Sequence, residues 1–135
     1  MFWLRLLLVT SLAVTVEITF NGLRNFKRDR DRSLPAHISL WMLPVYFFGL
    51  GLAMVWLLQF CGGLPAIARW AVMAGGLMVF EYTVATALSW FGLKPWVYEY
   101  GWHIRGRVRL DYFPFWLVYA AGFDSAWGFL ARHVI

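Results

Sequence analysis

Charge is scarce in this chain. Asp, Glu, Lys and Arg make up only 14% of its 135 residues, with seven acidic residues against twelve basic ones, while 61% are hydrophobic. A soluble domain of this length buries about two-thirds of its unfolded surface. Too few polar residues remain to cover the outside, so an ordinary water-soluble globule is excluded. Cysteine is rarer still: Cys61 stands alone, which excludes an intrachain disulfide. A P-loop, a Rossmann glycine pattern, a nucleophile motif and any metal-ligand spacing are also missing, so nothing calls for a cofactor, a metal or a catalytic residue. Without an ATP-binding motif, any ATP coupling would reside in another protein.

What the chain has instead is long apolar runs. Four of them, at about 2–20, 38–60, 70–93 and 113–131, approach the twenty or so residues a helix needs to cross a bilayer. The expected fold is all-α: a polytopic membrane protein in which a bundle of four transmembrane helices occupies 1–135 as a single domain. The first run is read as a retained helix, because one Arg5 makes a poor signal n-region, Glu17 interrupts the apolar stretch and no small-x-small site follows. Pro44 either starts the second helix near Trp41 or kinks it. The stretch Cys61-Gly62-Gly63-Leu64-Pro65 reads as a tight turn.

The basic residues fall between the runs. Arg24, Lys27, Arg28, Arg30 and Arg32 follow the first, and Lys94, Arg105, Arg107 and Arg109 follow the third. Together these are nine of the twelve, against Arg5, Arg69 and Arg132 on the other side. Positive connections favour the cytoplasm, which places both termini outside. The same distribution points to anionic membrane lipid as partner, and away from nucleic acid. Trp3, Trp41, Trp70, Trp90, Trp96, Tyr98, Tyr100 and Trp102 lie near the run ends, as headgroup-level aromatics do.

Three carboxylates interrupt the runs: Glu17, Glu81 and Asp124. A charge at mid-bilayer costs at least about 2.5–3.5 kcal/mol on insertion scales, so such groups face a bundle interior or water. At about 1.5 Å per residue, Glu81 and Asp124 fall near the midplane and Glu17 nearer the cytoplasm. Helical spacing puts Thr10, Val14, Glu17, Asn21 and Arg24 on one face. It likewise aligns Ala74, Met78, Glu81, Ala85 and Ser89, and Ala120, Asp124, Gly128 and Ala131. Glu17, Asn21, Glu81 and Asp124 are therefore candidates for an intramembrane polar site. The alternative is interhelical glue, in which protonated carboxyls or a Glu17–Arg24 pair fix the packing. Gly75-Gly76 and Gly49-x-Gly51 read as packing positions.

The connection over 94–112 is the most unusual stretch. Trp96, Tyr98, Tyr100 and Trp102 alternate, and then Arg105, Arg107 and Arg109 alternate against Ile104, Gly106, Val108 and Leu110. Period two predicts an extended or hairpin-like segment with one guanidinium-rich face. Trp96, Tyr98, His103, Arg105, Arg107 and Arg109 are thus candidates for contact with a lipid phosphate or a soluble anion. The competing reading is an ordinary positive-inside loop with an aromatic belt.

Several short motifs resemble the transmembrane protein 229 family, which is related to bacterial proteins described as CmpB-type ABC-transporter permeases. They are Ser39-Leu40-Trp41-Met42-Leu43-Pro44-Val45-Tyr46, Glu17 ahead of a basic connection, Glu81-Tyr82, and Pro95-Trp96-Val97-Tyr98. His103-Ile104-Arg105-Gly106-Arg107-Val108 and Leu110-Asp111-Tyr112-Phe113-Pro114-Phe115-Trp116 follow in the same order. The chain departs from that family at Val97, where Asp is usual, and at His103 or Ile104, where Asn is usual. The resemblance implies a four-helix membrane protein and carries over no reaction.

The reading that results is a small integral protein of the bacterial inner membrane, permease-like or accessory to a transporter. It is expected to be a homo-oligomer, or a subunit of a larger membrane complex, because four helices rarely enclose a solute path. Two other readings stay open: a lipid-headgroup-binding protein or enzyme at the cytoplasmic interface, and a purely structural subunit.

Overall fold

The computed structural model describes residues 1–30, 36, 40, 42–93 and 96–133. Four long helices dominate: α1 (Phe2–Asp29), α2 (Met42–Phe60), α3 (Ala66–Trp90) and α4 (Phe113–His133). Between α3 and α4 lie two short strands, β1 (His103–Ile104) and β2 (Val108–Arg109), and a 3-10 turn over Leu110–Tyr112. The fold is therefore not purely α. Each helix packs on the next and α4 returns to α1. Phe2 meets Trp127 and Phe20 meets Phe115 edge-on, so α1 and α4 run antiparallel.

The boundaries move for local reasons. Helix α1 continues past residue 20, because Arg24, Lys27 and Arg28 are good helix formers and cations suit a helix C-terminus. It stops where Arg30 turns left-handed (φ 58°) and its N–H caps the Phe26 carbonyl at 2.8 Å. Helix α3 starts early, since extended Pro65 serves as its N-cap. It ends in a Schellman motif: Gly92, at φ 74°, donates to Ser89 O and Leu93 donates to Leu88 O. The connection over Cys61–Pro65 is a short turn. Pro44 sits in the first turn of α2, where its missing N–H costs little. Trp41, as well as His37 and the start of the expected second span at 38, lies outside the described residues, as do Lys94 and Pro95.

Three helices, α1 through Arg28, α2 and α3, are long and apolar enough to cross a membrane. Helix α4, expected as a fourth, is long enough but does not reach that apolarity. Asp124, Ser125, Arg132, His133, the two glycines Gly122 and Gly128 and the hydroxyl of Tyr119 dilute it.

Helix α2 is wound as a π-helix over Tyr46–Ala53, with α-helical turns on both sides. Two glycines in that segment let its neighbours in. A Cβ on Gly49 would lie 2.0 Å from the Phe80 ring, and one on Gly51 would lie 2.5 Å from Thr10 Oγ1. Gly76 of α3 does the same for Leu57, whereas Gly75 meets nothing within 4 Å. Across the bundle, Tyr119 donates its hydroxyl to the Leu50 carbonyl inside the π segment at 3.0 Å. The buried core is narrow, built around Leu6, Val9, Leu50, Met54, Met73, Leu77 and Phe123.

Candidate functional site: a carboxylate pocket under an aromatic cap

The inner face expected for α1 exists. Thr10 is buried, and Val14, Glu17 and Asn21 are half-buried, while Arg24 is exposed. Asn21, one turn beyond Glu17, donates its amide to Glu17 Oε1 at 3.1 Å. On α3, Ala74 and Ala85 are buried and Glu81 is half-buried between them. Glu17 and Glu81 line one half-open pocket of about 110 Å³, bounded by α1, the first turns of α2, the later half of α3, the start of α4 and the connecting segment.

The connecting segment walls one side of the pocket because it folds back on itself. β1 and β2 pair antiparallel, His103 opposite Arg109 and Ile104 opposite Val108. The reversal uses Arg105 and Gly106 at φ 51° and 68°, and Arg107 N–H donates to Ile104 O at 3.0 Å. Both central residues thus take the positive φ of a type I′ turn. Gly106 N–H donates to His103 Nδ1 at 3.0 Å, fixing the imidazole beside the turn. The strand-like run before the hairpin lies against it: Tyr98 N–H donates to Gly106 O at 2.8 Å and Trp96 Nε1 donates to Arg107 O at 3.0 Å. Trp96 and Tyr98 consequently turn inward to line the pocket, while Tyr100 and Trp102 stay about four-fifths exposed, at 80% and 78%.

Tyr98 makes the central contact. Its hydroxyl donates to Glu81 Oε1 at 2.5 Å. Burial, reinforced by the neighbouring Glu81 carboxyl, pushes the Tyr98 phenol well above the ordinary tyrosine range. The other Glu81 oxygen, Oε2, is buried, and the buried indole N–H of Trp116 in the same cavity interacts with this carboxyl without reaching full hydrogen-bond geometry.

The expected guanidinium-rich face does not form, because the turn at Arg105–Gly106 interrupts the alternation that would align the three arginines. Arg105 is exposed at the turn. Arg107 docks on α3, donating to Thr86 Oγ1 at 2.6 Å and lying 6.0 Å from the Tyr82 ring centre. Arg109 forms an ion pair with Asp111, donates to the Tyr112 hydroxyl at 3.1 Å and stacks on that ring at 4.1 Å. The Arg109 hydrogen bond holds the Asp111 carboxyl below its usual range, and Asp111 in turn raises the guanidinium.

Asp124 sits away from the other two carboxylates. Its Oδ2 accepts from Arg69 Nη2 at 2.6 Å, Arg69 Nε at 3.0 Å and Trp70 Nε1 at 2.9 Å. Arg69 also reaches the Leu64 carbonyl in the turn before α3. Twelve residues separate Arg69 from Glu81 on α3, a distance of about 18 Å along the axis. The sequence-based depth comparison placed Glu81 and Asp124 level. The structure brings Glu17 level with Glu81 and ties Asp124 to the far end of the bundle.

Sequence reasoning missed the aromatic walls of the cavity, Tyr46, Phe80 and Trp116, as well as the Arg69–Asp124 pair. Apart from Phe80, each of these residues was visible in the sequence, Tyr46 and Trp116 as motif members, Arg69 as an outer-side cation and Asp124 as an intramembrane carboxylate, but nothing in its spacing paired it with its partner. Among the described residues no cluster of three or more His, Cys, Asp or Glu could hold a metal ion. No family model, curated protein or solved structure matches the chain.

Proposed function

We propose that the chain is an integral membrane protein of permease-like or transporter-accessory type, and that the Glu17–Glu81 pocket is its solute- or proton-binding site. The observation that carries this reading is two carboxylates from different helices lining one cavity with aromatic walls.

The membrane setting is supported by the three long apolar helices. Only 28%, 33% and 22% of their most apolar windows are buried within the protein, so most of that surface needs an apolar solvent. Six hydroxyls, those of Thr15, Thr19, Thr83, Thr86, Ser89 and Ser125, donate to the carbonyl four residues earlier and need no water. The basic connections favour both termini outside a bacterial inner membrane, and the pocket then opens toward the cytoplasmic half. A second copy or a larger complex would complete any path, since this pocket is small and does not cross the bundle. The motif resemblance described above points the same way.

Proteoliposomes loaded with a pH-sensitive dye test the reading. The wild-type chain is expected to dissipate an imposed pH gradient faster than protein-free vesicles, and E17Q and E81Q to fall back to the protein-free rate. Equal rates for wild type, both variants and empty vesicles, at matched incorporation, overturn it.

The exposed tip of the cap, with Tyr100, Trp102, Ile104 and Arg105, favours a second reading as a headgroup contact. Co-purified anionic lipid that is lost on Arg105→Ala supports that role, and lipid retained at the wild-type level argues against it.

A further inference from the structure

We propose that the pocket selects a small organic cation, an ammonium or guanidinium compound, over anionic and neutral solutes. The inference rests on the reading of this cavity as a ligand site and adds the chemistry of the ligand.

Charge comes first. Glu17 and Glu81 line the cavity, and none of its described lining residues is Lys, Arg or His. The nearest arginines of the cap are engaged elsewhere, Arg107 with Thr86 and Arg109 with Asp111. An anion would meet two carboxylates and no counter-charge, whereas a cation between them relieves their mutual repulsion. The buried Glu81 Oε2 is approached by the Trp116 indole N–H without full hydrogen-bond geometry, and a carboxylate oxygen retains a further lone pair for a cation.

The walls make the second point. Besides the carboxylates, the polar and aromatic lining consists of Tyr46, Phe80, Trp96, Tyr98 and Trp116, drawn from α2, α3, α4 and the cap. Aromatic faces attract ammonium and guanidinium groups, and the attraction grows when water is kept out. A bare metal ion would find few oxygen ligands here, but an alkylated cation finds both charge and apolar contact.

Size narrows the choice. The cavity measures about 110 Å³, and an engineered cavity of about 150 Å³ accommodates benzene, so roughly four or five heavy atoms fit inside. Tetramethylammonium and guanidinium are of that size.

The test is equilibrium binding to the full chain in nanodiscs of neutral phosphatidylcholine, read by tryptophan fluorescence because Trp96 and Trp116 line the cavity. Tetramethylammonium chloride is expected to give a saturable change. E81Q is expected to weaken it at least tenfold, and E17Q, included in case E81Q does not fold, should act in the same direction. Sodium chloride and sodium acetate are expected to give no saturable change. Acetamide, a neutral solute able to accept from the Trp116 N–H, is expected to bind at least tenfold more weakly. Acetamide or acetate binding as tightly as tetramethylammonium overturns the inference, as does cation binding that both variants retain. If tetramethylammonium fails to bind while the wild type still dissipates a pH gradient, the cation inference falls and the permease-like reading stands. If it binds in a Glu81-dependent way without gradient dissipation, the permease-like reading falls and the cation site stands.

Discussion

Tyr98 and Glu81 are joined hydroxyl to carboxylate at 2.5 Å, so that one residue of the connecting segment is anchored to the middle of α3. This contact links the order of the cap to the state of the pocket. Removing the hydroxyl with Tyr98→Phe leaves Glu81 Oε1 without its donor. The expected loss is about 1–3 kcal/mol of stability, the usual cost of stranding a buried polar group. Chemical unfolding in detergent micelles measures it, and trypsin cleavage after Arg105 in the exposed turn is expected to accelerate in the same variant.

The raised phenol gives the same contact a pH signature. A group whose folded pKa lies above its unfolded value contributes stability that is fully present below the unfolded value, about 10 for tyrosine, and lost as pH rises through the folded one. The Tyr98 contribution is therefore expected to persist through neutral pH and to fade only in strong alkali. At about pH 11 the tyrosinate absorbance of folded Tyr98→Phe is expected to equal that of the wild type, because Tyr98 is still protonated there. A difference of one full tyrosinate between the two would refute the assignment.

The far end of the bundle makes a contrasting case. Arg69 and Asp124 are each about one-fifth exposed and share two hydrogen bonds. Arg69→Ala and Asp124→Ala are each expected to cost about 1.5–3 kcal/mol. The double variant should cost less than their sum, with a coupling of about 0.5–3 kcal/mol. Thermal unfolding of the four proteins in nanodiscs closes the cycle. Gradient dissipation by a folded Asp124→Asn is expected to match the wild type, which separates this residue from Glu17 and Glu81.

Two glycines provide a packing test. Gly49→Ala drives a methyl group into the Phe80 ring and is expected to destabilise by about 1–3 kcal/mol. Gly75→Ala meets open space, and alanine is the better helix former by about 1 kcal/mol, so this change is expected to be neutral or stabilising. Melting temperatures of the two variants, compared with the wild type, decide the matter.

Much of the architecture was legible in the sequence because bilayer-length apolar runs and the basic connections between them are local signals. The inner faces of α1 and α3 were legible too, since i, i+3 and i+4 spacing needs no knowledge of the partner helix. Which carboxylate meets which was not. Depth counted from run ends misplaced Glu17 against Glu81, because α1 runs on through its cations to Asp29 and α3 begins at Ala66. The period-two pattern of the connection foretold extended backbone, but not the positive φ of Arg105. A non-glycine residue in that conformation leaves little trace in composition, and it is this turn that scatters the arginines and sends Trp96 and Tyr98 inward.

The π-wound stretch of α2 divides that helix into two halves with separate tasks. Met42, Val45 and Tyr46 serve the pocket, whereas Met54 and Val55 belong to the buried centre. A π segment behaves as an inserted residue within an α-helix, and one residue corresponds to about 100° of rotation. Deleting a single residue between Tyr46 and Ala53 would therefore swing one half around the axis relative to the other. With Met54 held by its neighbours, Tyr46 would leave the cavity wall. The helix thus contains a one-residue adjustment by which the pocket end can be re-aimed while the packing end stays in register.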